Sequence, residues 1–198
     1  MATGLGTSTA AVSVGGSPAP VNGVLCNKWD GTSWSSTGDL TAASYGMGAA
    51  GIQTAGIKFG GSKAASPYYN DETEEFDGTS WSEKNDLNVA RRAGAAATKG
   101  TTSSTLYAGG EPGYTDISET WDGTCWTEGN DLNTGRSGFT GCGIVTSAMA
   151  IGGDVPPRTA ATEVYDGTSW SEVADLAAAA NWPGGIGAAA TSAFCVGG

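Results

Sequence analysis

Residues 163–176 read EVYDGTSWSEVADL, and close variants of that wording return three more times along the 198-residue chain. Its core, Asp-Gly-Thr-(Ser/Cys)-Trp, occupies residues 30–34, 77–81, 122–126 and 166–170, at intervals of 47, 45 and 44. Nine residues after each of those aspartates stands an Asp-Leu pair: Asp39 and Leu40, Asp86 and Leu87, Asp131 and Leu132, Asp175 and Leu176. A period in the mid-forties with fixed internal offsets marks a repeat architecture, each unit being one supersecondary block. A Gly-Gly pair recurs in the same frame at 15–16, 60–61, 109–110, 152–153 and 197–198, each time after a short apolar run such as AVSVGG, GIKFGG or AFCVGG.

Each repeat reads as four short strands. A Gly/Ala-rich strand, near 46–52 in one unit, leads to the apolar strand ending in Gly-Gly. A variable loop follows, then a third strand ending in an aromatic, then a fourth that begins at the motif tryptophan. Asp-Gly between strands three and four is a strong hairpin signal, because tight primed turns need residues that tolerate φ > 0. The ring before the turn is Trp29, Phe76, Trp121 or Tyr165, and the ring after it is Trp34, Trp81, Trp126 or Trp170. These eight rings are expected to form the core. They have to, because Leu, Ile, Val and Phe together number only 27 against 30 Ala, at a net charge of -11, a balance usually read as disorder. Each buried aromatic removes roughly 150 to 250 Å² from water, enough to replace missing aliphatics if the rings recur at equivalent positions.

Gly-Gly, then Glu-x-aromatic-Asp, then Trp, then a Leu-containing end with Arg91 or Arg136 resembles the kelch repeat. Ser44 and Ala180 stand at the arginine position in the other two units. The resemblance implies an all-β fold, a kelch-like β-propeller of four-stranded antiparallel blades. One domain over 1–198 is expected, with a half-unit at 1–16 and repeats at about 17–61, 62–110, 111–153 and 154–198. The two ends, 1–16 and 184–198, are both first-and-second-strand halves. Three arrangements are therefore open: a four-bladed ring with a spare hairpin, a five-bladed ring with one incomplete blade, or a piece of a longer array. Unpaired blade edges would favour a homo-oligomer. Wording such as GTSTAAVSVGG and ATEVYDGTSWSEVADL is also similar to kelch-type repeats in structural proteins of marine bacteriophages, especially those infecting cyanobacteria.

Composition excludes several classes of function. A net charge of -11 repels phosphate backbones, so no nucleic acid partner is expected. No apolar run approaches the roughly 20 residues that span a bilayer, and MATGLGTSTAAVSVGG has neither a basic n-region nor an apolar h-region, so neither membrane insertion nor a signal peptide is expected. The chain has no His, which removes Ser-His-Asp and Cys-His nucleophile systems and His-ligated zinc. Copper oxidases with kelch-like blades use His ligands, and sialidases need an arginine cluster that four Arg cannot readily build. No carboxylate pair stands out as a glycosidase would require. Glu74, Glu119 and Glu163 share one repeated position, three before the motif Asp, and are read as structural or solvent-facing. Cys26, Cys125, Cys142 and Cys195 fall at non-equivalent positions and are read as free thiols. No enzyme, metal or cofactor is expected.

With strands running up and down, the Asp-Gly turns and first hairpin turns share one face, and the variable loops share the other. Those loops are 17–23, 62–71, 111–117 and 154–161, and the same face is expected to gather Tyr45, Arg91, Arg92, Arg136 and Trp182. Variation on a repeated frame is where specificity tends to sit. Trp182, a tryptophan outside the repeat pattern, reads either as a packing plug or as a stacking platform helped by Tyr68, Tyr69 and Tyr114, with Arg92 and Arg158 as candidate polar partners. Two functions follow. One is a non-catalytic virion module (tail fibre, adhesin or surface decoration), assembled in the host cytoplasm and binding a host cell-surface glycan or another virion protein. The other is an intracellular kelch-type scaffold for a protein partner.

Overall fold

A computed structural model describes residues 2–16, 23–64 and 66–198; all of the first variable loop but Gly23 lies outside the described residues. The fold is an all-β propeller of four antiparallel four-stranded blades. Blade 1 is β1 (Thr3–Gly6), β2 (Ala11–Val14), β3 (Cys26–Trp29) and β4 (Trp34–Ser36). Blade 2 is β5 (Gly48–Ile52), β6 (Ala55–Phe59), β7 (Thr73–Phe76) and β8 (Trp81–Glu83). Blade 3 is β9 (Ala95–Ala96), β10 (Thr105–Gly110), β11 (Thr115–Trp121) and β12 (Trp126–Glu128). Blade 4 is β13 (Thr140–Ile144), β14 (Ser147–Ile151), β15 (Thr162–Tyr165) and β16 (Trp170–Val173). The leftover half is a two-stranded hairpin, β17 (Gly184–Gly187) and β18 (Ala193–Val196). The structure has four blades and a spare hairpin. The chain forms two compact units, Met1–Arg92 with blades 1 and 2, and Ala93–Gly198 with blades 3 and 4 and the hairpin.

The repeated letters have separate physical jobs. The Asp-Gly hairpins differ from the expected two-residue primed turn: Trp29 pairs with Trp34, which leaves four residues in the loop, and only the glycine has a positive φ, 95° at Gly31. The aspartate shapes the turn with its side chain. Asp30 Oδ1 accepts from the Thr32 and Ser33 N–H groups, both at 2.8 Å, and Asp77, Asp122 and Asp166 repeat this. In the Gly-Gly pairs both residues are left-handed, as at Gly60 (φ 64°) and Gly61 (φ 108°). The second N–H then binds the inter-blade linker: Gly16 to Ser44 O (3.2 Å), Gly61 to Arg91 O (2.9 Å), Gly110 to Arg136 O (2.8 Å) and Gly153 to Ala180 O (2.7 Å). Asp39, Asp86 and Asp131 each accept from an N–H of the third strand, at Cys26, Thr73 and Ser118.

Alanine and glycine prevail in the first strands because those strands approach closely within each unit. A Cβ on Gly141, in β13, would stand 2.5 Å from Ala96 O, in β9. The core then rests on rings. Trp29–Trp34, Phe76–Trp81, Trp121–Trp126 and Tyr165–Trp170 stack as tilted pairs with centroids 5.5, 5.0, 5.5 and 5.1 Å apart. Trp81 clusters with Leu40 and Cys26 of blade 1, and Trp170 with Leu132 of blade 3, so each ring also covers the blade before its own. Phe76, Trp121, Tyr165, Trp81, Trp126 and Trp170 are buried. Trp34 is not: it is 55% exposed, and its partner Trp29 is half-buried. That exposure corrects the assignment of Trp34 to the core.

Candidate functional site

Each Asp-Gly turn packs on the first hairpin turn of its own blade. A Cβ at Gly31 would meet Thr9, one at Gly78 would meet Thr54, at Gly123 Ser103 and at Gly167 Thr146. The indole N–H groups of Trp29 and Trp121 tie the same two turns together by donating to Ser8 O (2.9 Å) and Thr102 O (2.8 Å). That end of each blade is uniform, so the distinctive residues lie in the loops and linkers at the other end.

In the first unit the loop after β6 turns on Ser62, which bridges to both Tyr45 and Tyr69. Arg92 Nη1 donates to Ser62 Oγ at 3.2 Å, and its guanidinium stands 5.8 Å over the Tyr69 ring. Tyr68, next to Tyr69, is 61% exposed. Below them Lys63 Nζ meets Glu72 Oε1 at 2.5 Å, and Asn70 donates to the other carboxylate oxygen at 3.1 Å. Burial opposes the charge on Glu72, but the hydrogen bonds from Lys63 and Asn70, with Lys58 nearby, outweigh it and hold the carboxyl below its usual range. The Glu72 hydrogen bond also holds Lys63 protonated, above the usual lysine range. Tyr69 and Arg92 are therefore brought together on a braced loop, with Tyr68 projecting beside them.

In the second unit Tyr114, Arg158 and Trp182 are anchored on one linker, 134–138. Thr115, beside Tyr114, accepts from Arg136 N at 3.2 Å; Asp154 bridges both Ser137 and Arg158; Trp182 N donates to Gly138 O at 2.6 Å. The indole of Trp182 lies on Gly138, where a Cβ would stand 3.0 Å from the ring, and Asn181 Nδ2 donates to Asp154 Oδ2 at 3.3 Å. Trp182 is 45% exposed, Tyr114 is 40% exposed, and Arg158 is exposed.

Trp182 has a further peculiarity. Sixteen residues after each motif Asp come Gly46, Ala93, Gly138 and Trp182, and their φ values are 66, 58, 60 and 52°. The linker is left-handed there in every repeat, a conformation that costs a bulky residue about 1–3 kcal/mol. Three repeats use Gly or Ala. The fourth places a half-exposed indole at that position. The constant offset was legible in the sequence, and it distinguishes Trp182 more sharply than its isolation from the motif does.

Arg91 and Arg136 do not belong to the loop surface. Both are fully buried, which corrects their expected place beside Arg92. Arg136 lies over Phe139 and reaches Ala161 O (2.7 Å), Gly152 O (3.3 Å) and the Glu163 carboxylate. Glu74, Glu119 and Glu163 are likewise fully buried. Cys26 and Cys142 are buried and Cys125 is exposed.

No family model matches the sequence, and no curated protein is similar to it. Among solved structures the chain is similar to one described as the structure of YjhT, with a TM-score of 0.76 at 13% identity over 93% of this chain and 68% of that one. At that identity the likeness carries the β-propeller fold and nothing more.

Proposed function

We propose that this chain is a non-catalytic recognition or structural module of a phage virion (a tail fibre, adhesin or surface decoration) that binds a host cell-surface glycan or another virion protein through its variable loops. One observation carries the reading: a half-exposed Trp182 occupies a left-handed linker position that Gly46, Ala93 and Gly138 fill elsewhere. One edge of the indole lies on Gly138, and its open part suits a stacking platform for a sugar face or a partner side chain. The exposed Tyr68 beside the Tyr69–Arg92 stack offers the same chemistry in the first unit. Support for the setting comes from the kelch-like repeat chemistry, the phage-like wording and the absence of histidine.

The test is binding of the folded chain to a glycan panel and to whole marine bacterial cells, with Trp182→Ala and a Tyr68→Ala/Tyr69→Ala double variant alongside. Binding that is lost in a variant with an unchanged thermal melt supports the reading and locates the surface. Wild-type binding that neither variant weakens overturns the assignment to these loops. No binding to glycan or cells, with co-purification of a partner from host lysate instead, favours the kelch-type scaffold. Absence of the protein from purified particles by mass spectrometry rules out the virion setting.

A further inference from the structure

The hairpin β17–β18 holds the first and second strands of a blade, and no third strand pairs with it among the described residues. Aligned on the Gly-Gly that follows, Phe194 corresponds to Val12, Ile57, Leu106 and the half-buried Met149, and Val196 to Val14, Phe59, Ala108 and Ile151. Phe194 is 65% exposed where Val12, Ile57 and Leu106 are 1, 0 and 1% exposed. Val196 is 47% exposed where Val14, Phe59, Ala108 and Ile151 are 0, 0, 0 and 3% exposed. In each complete blade a third strand runs along the corresponding edge, as β15 does on β14 from Ile151 opposite Thr162 to Ala148 opposite Tyr165.

Beside that open edge lies a cavity of about 280 Å³ whose walls include Met149, Ile151, Thr162, Leu176, Phe194 and Cys195. A cleft of this volume, open to solvent and with Asp175 at its wall beside the apolar side chains, accommodates an aromatic ring. Complete blades indicate which ring. Within each unit the leucine of an Asp-Leu pair clusters with the motif tryptophan of the next blade, Leu40 with Trp81 and Leu132 with Trp170, and these leucines are 4 and 3% exposed. Leu176, their equivalent, is only half-buried. Trp170 Nε1 donates to Ser118 Oγ at 2.9 Å, and Thr162 occupies in blade 4 the place of Ser118. An acceptor hydroxyl, a leucine and an unpaired strand edge are therefore assembled around a vacant tryptophan position.

We propose that this edge and cavity bind the outer half of a blade, a β-hairpin of the form aromatic-Asp-Gly-x-x-Trp. A second copy does not suit, because its four outer half-blades are already paired to their own inner strands. The chain also indicates which hairpin fits best. A third-strand glutamate meets a buried arginine where Glu163 meets Arg136, but the linker position before this hairpin is Ala180. An incoming carboxylate would be buried without a partner. The preferred occupant therefore has a neutral residue there, as blade 1 does with Asn27.

The probe is a synthetic peptide with the sequence of residues 26–36, CNKWDGTSWSS, carrying Cys26→Ser, titrated into the folded full chain by calorimetry. Saturable one-to-one binding is expected. It should weaken at least tenfold when the peptide carries Trp34→Ala or Asn27→Glu, and also when the protein carries Phe194→Asp. Hydrogen exchange should slow at the β18 amides on binding. No saturable binding, or equal binding with and without the peptide tryptophan, overturns the proposal. So does a dimer by sedimentation that Phe194→Asp splits, since the β18 edges would then pair with each other.

Discussion

Arg136, on the linker after blade 3, and Glu163, in the third strand of blade 4, meet guanidinium to carboxylate with both side chains fully buried. Glu163 also accepts from Asn133 N (2.7 Å) and Nδ2 (2.9 Å), so one carboxylate holds the preceding linker at several points. In blade 2 Glu74 accepts from Thr41 N at 2.8 Å in the same way, but the linker residue there is Ser44. The positive charge comes instead from Lys58, directly across the sheet, with Nζ 2.9 Å from Glu74 Oε1, an ionic contact too poorly angled to be a hydrogen bond. Serine at the arginine position is therefore a relocation of the charge.

Removing one member of such a pair strands the other in the interior. Arg136→Ala should cost about 3–5 kcal/mol in urea unfolding, and Lys58→Ala a similar amount. Adding Ser44→Arg to Lys58→Ala rebuilds the arrangement of blade 4, where Ala150 stands opposite Glu163, and should recover most of the loss. A double variant no more stable than Lys58→Ala would show that the two charge positions are not interchangeable.

The motif tryptophans should separate by blade. Trp170→Ala removes a buried ring and an indole hydrogen bond, for a loss of roughly 3–5 kcal/mol. Trp34→Ala and Trp182→Ala should cost far less, because those rings are 55 and 45% exposed. Denaturant midpoints of the three variants, measured side by side, check the ranking.

The four turn aspartates set an acid limit. Backbone N–H donors from Ser33, Ser80, Cys125 and Ser169 are the main reason that Asp30, Asp77, Asp122 and Asp166 titrate below the usual carboxylate range. A pKa lower in the folded than in the unfolded chain means stabilisation that is complete above about pH 4 and is lost as pH falls through the folded values. Thermal melts between about pH 2 and 6 should show that fall. A variant with all four changed to Asn should show a flatter one, since the amide oxygen still accepts but does not titrate in this range.

Thiol labelling should follow burial. Cys125 is exposed, while burial of Cys26 and Cys142 pushes their thiols up and depletes the reactive thiolate. Mass mapping after brief maleimide treatment should find Cys125 modified first, with Cys26 and Cys142 reacting only once the protein is unfolded. Equal rates at Cys125 and Cys142 would contradict the packing of β13.

The repeat letters determined the blade, its four strands and its Asp-Gly turns, because each letter acts locally: an aspartate caps its own turn, and two glycines turn left-handed at a strand end. Even the offset of 16 residues that singles out Trp182 is present in the chain. Only the tertiary structure decided which copies of a motif do which work. Trp34 and Trp170 share identical wording, yet one is exposed and the other buried, since burial depends on what packs against each ring. Glu74 and Glu163 share a register, yet they take their cations from a neighbouring strand and a linker respectively. The extra half-unit at 184–198 was legible as a half-blade with an unpaired edge, but which side chains that edge exposes, Phe194 and Val196, appears only when the strands are placed. Local conformation follows from nearest neighbours in the chain, whereas burial and charge pairing follow from neighbours in space.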